Sequence, residues 1–344
     1  MKNWIRPDFE FRPARPLFLC VLSNTETGKI PGISAAGSTP ELTDYTPGGD
    51  AELVELNKIV TMPELPETPG GAPTPAILTK AALNLSKIPS LFVTSGLKVK
   101  PAVPYVDMGG LPGGDIRNVS ALRDVSGIVD RAALLGQKLS HFTDCVFIGE
   151  SIAGGTTTAL AVMRALGYSG NVSSSLAENP MDLKSKVVFQ AMRRCGASTA
   201  SLRNDPIKAV EELGDPMMPC VLGLIRGLHG VKIVLSGGTQ MAVVLALAKT
   251  MGLNGDLSIA TTKYIADDRS ASFIEIVEEL GYPYHVVDPG LKSSKIPGLR
   301  CYEDGNVKEG VGAGGAALAA SIYGISQQQL VDEADRVIMT VELP

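Results

Sequence analysis

The stretch Val146-Phe147-Ile148-Gly149-Glu150-Ser151-Ile152-Ala153-Gly154-Gly155-Thr156-Thr157-Thr158-Ala159 runs from an apolar strand through a glycine-rich turn into an Ala-rich helix. The same order recurs at Ile233-Val234-Leu235-Ser236-Gly237-Gly238-Thr239-Gln240-Met241-Ala242. A third glycine-rich turn, Val307-Lys308-Glu309-Gly310-Val311-Gly312-Ala313-Gly314-Gly315-Ala316-Ala317, also opens a helix. Strand, glycine turn and helix in alternation specify a parallel sheet wrapped on both faces. The expected fold is α/β, a Rossmann-like doubly wound, mostly parallel sheet, with a smaller domain formed by the terminal segments.

Outward from these turns, strands are expected at Leu17–Leu22, Ser90–Thr94, Asp144–Ile148, Lys232–Leu235, Leu257–Thr261 and Tyr284–Val287. Apolar spacing predicts helices at Val125–Leu139, Thr157–Leu166, Leu183–Arg194, Pro206–Leu213, Gln240–Met251, Ser272–Leu280 and Ala316–Tyr323. Ser326 and Gln329 form a capping box that opens a last helix, and Val337–Val341 reads as a closing strand. Ser23–Gly49 reads as a long loop. Met62–Pro75, with five prolines, is either a surface connection or a wall over a cleft. The chain divides into an N-terminal segment 1–75 contributing to the small domain, an α/β domain 76–323, and a helix and strand at 324–344.

Composition narrows the function. With 36 acidic against 31 basic residues and no Lys/Arg run, binding to a phosphodiester backbone is not expected. Aromatic residues at 5% are too few for stacking platforms along single strands. No apolar run has the length of a signal peptide or a membrane span. Five scattered cysteines without a C-x-x-C pair fit a reducing cytoplasm, and His141, His229 and His285 form no zinc-binding cluster. No metal or cofactor is expected.

Glycine turns at helix N-termini bind anions. The backbone approaches closely, the first-turn N–H groups lack intrahelical partners, and the helix dipole adds positive potential. Gly154, Gly155, Thr156, Thr157, Gly237, Gly238, Gly310, Gly312, Gly314 and Gly315 are therefore candidates for holding a phosphate. None of the turns has the Lys of a P-loop, and none gives a clean G-x-G-x-x-G followed by an acidic ribose ligand, which disfavours a nicotinamide-dinucleotide oxidoreductase. Glu150 and Glu309 lie inside these turns. Each is either a helix cap or a general base facing the ligand. Asp107, Asp268 and Ser270, in loops on the carboxyl side of strands, are candidate pocket residues; Asp268 and Ser270 also read as a solvated turn.

The three turns resemble the G-E-M-G-I-G-N-T-T, G-G-x-E-[IM]-A and R-L-G-E-G-T-G-A-A-L-A segments of nicotinate-nucleotide:dimethylbenzimidazole phosphoribosyltransferase, in order and spacing over about 103–323. The match is best to an uncharacterised archaeal and cyanobacterial branch of that superfamily. The resemblance implies transfer of phosphoribose from nicotinate mononucleotide to a benzimidazole-type base, giving an α-ribotide for the cobamide lower ligand. Glu309 would be the base, Glu150 would line the site, the glycine turns would hold the 5′-phosphate, and the protein would be a cytoplasmic homodimer. The chain departs from the family at Gly155, where Asn is usual, and at Thr239-Gln240, where an acidic residue is usual. A nucleotide-binding protein that has lost the acceptor pocket is the alternative.

Overall fold

The computed structural model describes residues 4–37 and 39–344; Met1, Lys2 and Asn3 of the N-terminal segment and Ser38 of the 23–49 tract lie outside the described residues. Eight strands form one sheet: β1 (Ile5–Arg6), β2 (Pro16–Leu22), β3 (Ser90–Thr94), β4 (Tyr105–Asp107), β5 (Cys145–Ser151), β6 (Lys232–Ser236), β7 (Asp256–Thr262) and β8 (Tyr284–Val287). Their order is β1-β8-β7-β6-β5-β2-β3-β4, parallel throughout except for β1, which runs antiparallel to β8. The central strand β2 comes from the N-terminal segment and is hydrogen bonded between β5 and β3.

The helices are α1 (Thr46–Leu56), α2 (Ala76–Ser86), α3 (Val125–Leu139), α4 (Gly155–Leu166), α5 (Met181–Arg194), α6 (Pro206–Leu213) and α7 (Met217–Gly227). They continue with α8 (Thr239–Thr250), α9 (Lys263–Ala266), α10 (Phe273–Leu280), α11 (Pro297–Arg300), α12 (Ala313–Ile322) and α13 (Gln327–Thr340). None is long and apolar enough to cross a membrane among the described residues.

Both faces of the sheet are buried, and the strands show it residue by residue. Leu19 and Val21 of β2, Val146 and Ile148 of β5, and Ile233 and Leu235 of β6 join the core under α3–α8 and α10. Phe18, Cys20, Leu22, Phe147 and Val234, at the alternate positions, join the core under α1, α2, α12 and α13. This period of two, apolar on both sides, is the pattern of a parallel sheet covered by helices. The terminal segments meet on the second face, where α13 packs on α2 and the Ile59 N–H donates to Glu342 O.

Two expectations need correction. Val337–Val341 is not a strand: the helix opened by the Ser326 capping box continues to Thr340, because Leu330, Ala334 and Val337 recur at helical spacing on its buried face. The loop expected to reach Gly49 ends sooner, since α1 begins at Thr46 with Pro47 in its first turn, where a missing N–H costs nothing.

Between β5 and the turn before α12 the backbones touch. A Cβ on Gly149 would lie 2.7 Å from Gly312 Cα, and one on Gly312 would lie 2.9 Å from Gly149 Cα. No side chain fits on either partner. Gly149→Ala is expected to cost about 1–3 kcal/mol by overpacking, read as a lower urea midpoint at unchanged slope; an unaltered midpoint would show that the turn moves away freely.

Candidate functional site

The chain leaves β2 for β3 on one side, and β5 returns to the other side of β2, so the direction of strand order reverses at β2 and β5. Ligands of open α/β sheets bind beyond the carboxyl ends of strands at such a point. A cleft lies there, partly open to solvent. Its floor is the end of β5 and the start of α4, residues 150–156. Gly238–Gln240 at the start of α8, residues 307 and 309–311 before α12, and the serines 173–175 form its sides. Thr46 and Asp50 of α1 and much of the Pro-rich segment, from Pro66 to Pro75, complete the wall. Met62–Pro75 is thus a wall of the cleft over much of its length.

Glu309 is held in a strained turn. Val307, Lys308 and Val311 have φ of 66°, 72° and 53°, a left-handed region that β-branched residues rarely enter and that clusters at functional sites. The turn is fixed from several sides: Val307 N–H donates to Ser175 O, Val311 N–H to Glu150 O, and Thr262 Oγ1 to Lys308 O. Glu309 Oε2 accepts from Thr262 N–H at 3.0 Å and Oε1 from Gly314 N–H at 3.1 Å. The carboxyl therefore caps α12 while lining the cleft. Burial pushes its pKa up to about 7, against the pull of the surrounding backbone N–H groups.

Glu150, 4% exposed at the end of β5, lines the same cleft, and its Oε2 has no hydrogen-bond partner. Burial first, and then the Glu309 charge, raise its pKa well above the usual carboxylate range. Burial and the Glu309 charge thus favour the protonated form of Glu150.

The three glycine turns have different uses. Gly154, Gly155 and Thr156 line the cleft, with Gly154 at φ 80° turning the chain into α4. Gly238 and Gly310 also line it. Thr157, within the first turn of α4, is fully buried, and Gly237, Gly312, Gly314 and Gly315 are not in the lining. Gly314 and Gly315 pack α12 tightly against Thr261 and Ser236. The Glu309 carboxylate already occupies the α12 N-terminus, whereas glycines at the starts of α4 and α8 open on the cleft.

Asp107 lies near the far edge of the sheet on β4, paired with Lys100 at 3.0 Å, away from the cleft. Asp268 and Ser270 sit behind the lining: Asp268 Oδ1 accepts from Ser270 Oγ at 2.6 Å, and Asp268 Oδ2 pairs with Lys308 Nζ at 3.5 Å. Among the described residues no group of three or more His, Cys, Asp or Glu is placed to hold a metal ion.

Four features of the site were not expected from the sequence. They are Asp50, the serines 173–175, and the buried lysines Lys184 and Lys308. Lys184 Nζ donates to Ser173 O at 2.5 Å, and Lys308 Nζ donates to Ser174 O and Leu176 O, both at 2.9 Å. Burial, then the neighbouring Lys308, lowers the Lys184 pKa to about 7. The run Ser173-Ser174-Ser175 ahead of a helix was the only local signal for this loop.

The chain belongs to the UPF0284 protein family. It is 51% identical over 339 residues to the UPF0284 protein of Methanosarcina acetivorans and 52% identical over 339 residues to that of Methanosarcina mazei, covering 97% of each chain in both cases. It is 45% identical over 327 residues to UPF0284 protein PF0303 of Pyrococcus furiosus, covering 94% of this chain and 98% of that one. No family model matches the chain. Among solved structures it is similar to nicotinate-nucleotide-dimethylbenzimidazole phosphoribosyltransferase from Thermus thermophilus, with a TM-score of 0.55 and 16% identity over 96% of this chain and 84% of that one. CobT from Thermus thermophilus gives a TM-score of 0.58 and 17% identity over 95% and 84%. The shared property is the fold.

Asp215, fully buried, ties the floor together: it accepts from Thr158 Oγ1 at 2.6 Å and from Met217 N–H at 3.1 Å, joining α4 to α7. Burial pushes its pKa up to about 6, with these hydrogen bonds opposing. The folded state thus keeps a proton that the unfolded state loses near 3.8, so this group's stability is full below about pH 4 and is lost as pH rises through about 6. The separation corresponds to roughly 3 kcal/mol. Asp215→Asn, which keeps the acceptor for Met217, is expected to gain on the wild type by that order between pH 4 and 7 in urea titrations; a constant difference across that range would contradict the assignment.

Proposed function

We propose that the cleft is the active site of a phosphoribosyltransferase that moves phosphoribose from nicotinate mononucleotide to a benzimidazole-type base, giving an α-ribotide of the kind used as a cobamide lower ligand. The observation that carries the reading is Glu309: a carboxyl with a pKa near 7, held by two backbone N–H donors on the wall of the cleft. Its position in the third glycine turn matches the base expected from the family resemblance. The fold shared with the two Thermus proteins supports the same reading.

In the proposed reaction the unprotonated ring nitrogen of the azole attacks C1′ of the donor. The C1′–nitrogen bond to nicotinate breaks, and its electron pair stays on the departing ring nitrogen. The N–H proton of the azole passes to the Glu309 carboxylate. The donor's 5′-phosphate is assigned to the N-termini of α4 and α8, where Gly155, Thr156 and Gly238 present backbone to the cleft and Thr156 adds a hydroxyl. Glu150, whose Oε2 is unpartnered and whose protonated form burial favours, supplies a hydrogen-bond donor suited to a ribose hydroxyl when protonated.

Nicotinate release, followed by chromatography with a panel of benzimidazoles and purines, tests the reaction. Base-dependent release is expected, with a rate that rises with pH through about 7 as Glu309 ionises. Glu309→Gln is expected to lose on the order of 10²–10⁴ in rate while still binding nicotinate mononucleotide. Tight mononucleotide binding without release against any base would make the protein a nucleotide binder, and an unchanged Glu309→Gln rate would remove Glu309 from the mechanism.

A further inference from the structure

Asp50 is a buried carboxyl that the proposed reaction does not use. It lies on α1, is 2% exposed and lines the cleft. Thr74 Oγ1, from the Pro-rich wall, donates to its Oδ1 at 2.6 Å. Ser151 Oγ, from the end of β5, donates to its Oδ2 at 2.7 Å. Two hydroxyls are thus its hydrogen-bond partners, and it makes no ion pair among the described residues.

A carboxylate has about four lone-pair sites, and hydroxyls fill one on each oxygen here. Placing such a group out of water with no cation is costly unless further donors reach it. The Pro-rich wall brings Pro66, Ala72 and Pro75 to the cleft together with Glu67, Thr68 and Thr74, and Thr46 lies one turn earlier on α1. A flat heterocycle can lie against the prolines, but a purely apolar edge facing Asp50 would leave the carboxylate as it is. An edge bearing a hydrogen-bond donor would complete it.

We infer that Asp50 is a specificity-determining residue that selects acceptor heterocycles carrying an exocyclic hydrogen-bond donor, an amino or hydroxyl group, on the edge presented to it. This rests on the acceptor site proposed above. It narrows the acceptor class from benzimidazole-type bases in general to donor-bearing ones.

The test uses 5-aminobenzimidazole and 5-methylbenzimidazole, which match in shape and differ in the donor. Binding to the intact protein is measured by calorimetry at pH 8, where Asp50 is ionised. The wild type is expected to bind the amino compound roughly ten- to hundredfold more tightly, the worth of a hydrogen bond to a charged group. Asp50→Ala is expected to abolish the preference with nicotinate mononucleotide affinity unchanged. Should the alanine variant fail to fold, Asp50→Asn, which keeps the hydroxyl partners engaged, is expected to reduce the preference several-fold. Equal binding of the two compounds, or tighter binding of the methyl compound, would overturn the inference and leave the acceptor site standing. A preference that survives both substitutions would assign it to another residue. If neither compound binds while the mononucleotide does, the acceptor reading fails and this inference fails with it.

Discussion

The site depends on one main-chain contact, the approach of the turn before α12 to the end of β5. Gly149 and Gly312 meet without side chains, and the Val311 N–H donates to Glu150 O. That hydrogen bond joins the strand end to the turn, so that the carboxyls of Glu150 and Glu309 face one cleft. Although the two are more than 150 positions apart in sequence, the Glu309 charge raises the Glu150 pKa because the sheet ends where the turn begins. Removing water from both groups does the rest, since burial is the largest cause of each shift.

The cleft is electrically uneven. Asp50, Glu150 and Glu309 are carboxyls on its wall and floor, whereas the serines 173–175 line a side that two buried lysine side chains support from behind. Lys184 and Lys308 donate to backbone carbonyls of that loop, and burial lowers the pKa of both. Lys308 also holds its own turn in the left-handed backbone conformation, because its side chain is satisfied by Ser174 O and Leu176 O.

Much of this was legible in the sequence, for a local reason. Strand, glycine turn and helix are short-range patterns, and the double-sided burial of β2, β5 and β6 appears as unbroken apolar runs. Glu309 stood out because a carboxylate inside a glycine turn has few roles. The uses of the glycines were not legible. Gly154 turns the chain toward a ligand site, while Gly314 and Gly315 are small so that α12 can pack against Thr261 and Ser236; composition cannot separate these cases. Asp50 was hidden in a tract whose Pro47-Gly48-Gly49 reads as loop, although Pro47 begins a helix. Helix α7 was hidden in the same way by Pro219, which falls in its first turn, where the missing N–H had no partner to lose. Lys184 and Lys308 acquire meaning only from carbonyls that the fold brings to them.

The walls of the cleft differ in how they are anchored, which bears on how the protein can diversify. The turn carrying Glu309 is bonded to β5, β7 and the serine loop, through Glu150 O, Thr262 and Ser175 O. Any replacement there must satisfy three neighbours together. The Pro-rich wall is joined through fewer bonds, among them Tyr302 Oη to Pro73 O and Thr74 Oγ1 to Asp50. Met62 and Ala72 of this wall are buried in the core all the same. The cleft is therefore framed on one side by a turn that polar bonds fix from three neighbours and on the other by a wall held mainly through packing, so the two sides answer to different constraints when a residue in them changes.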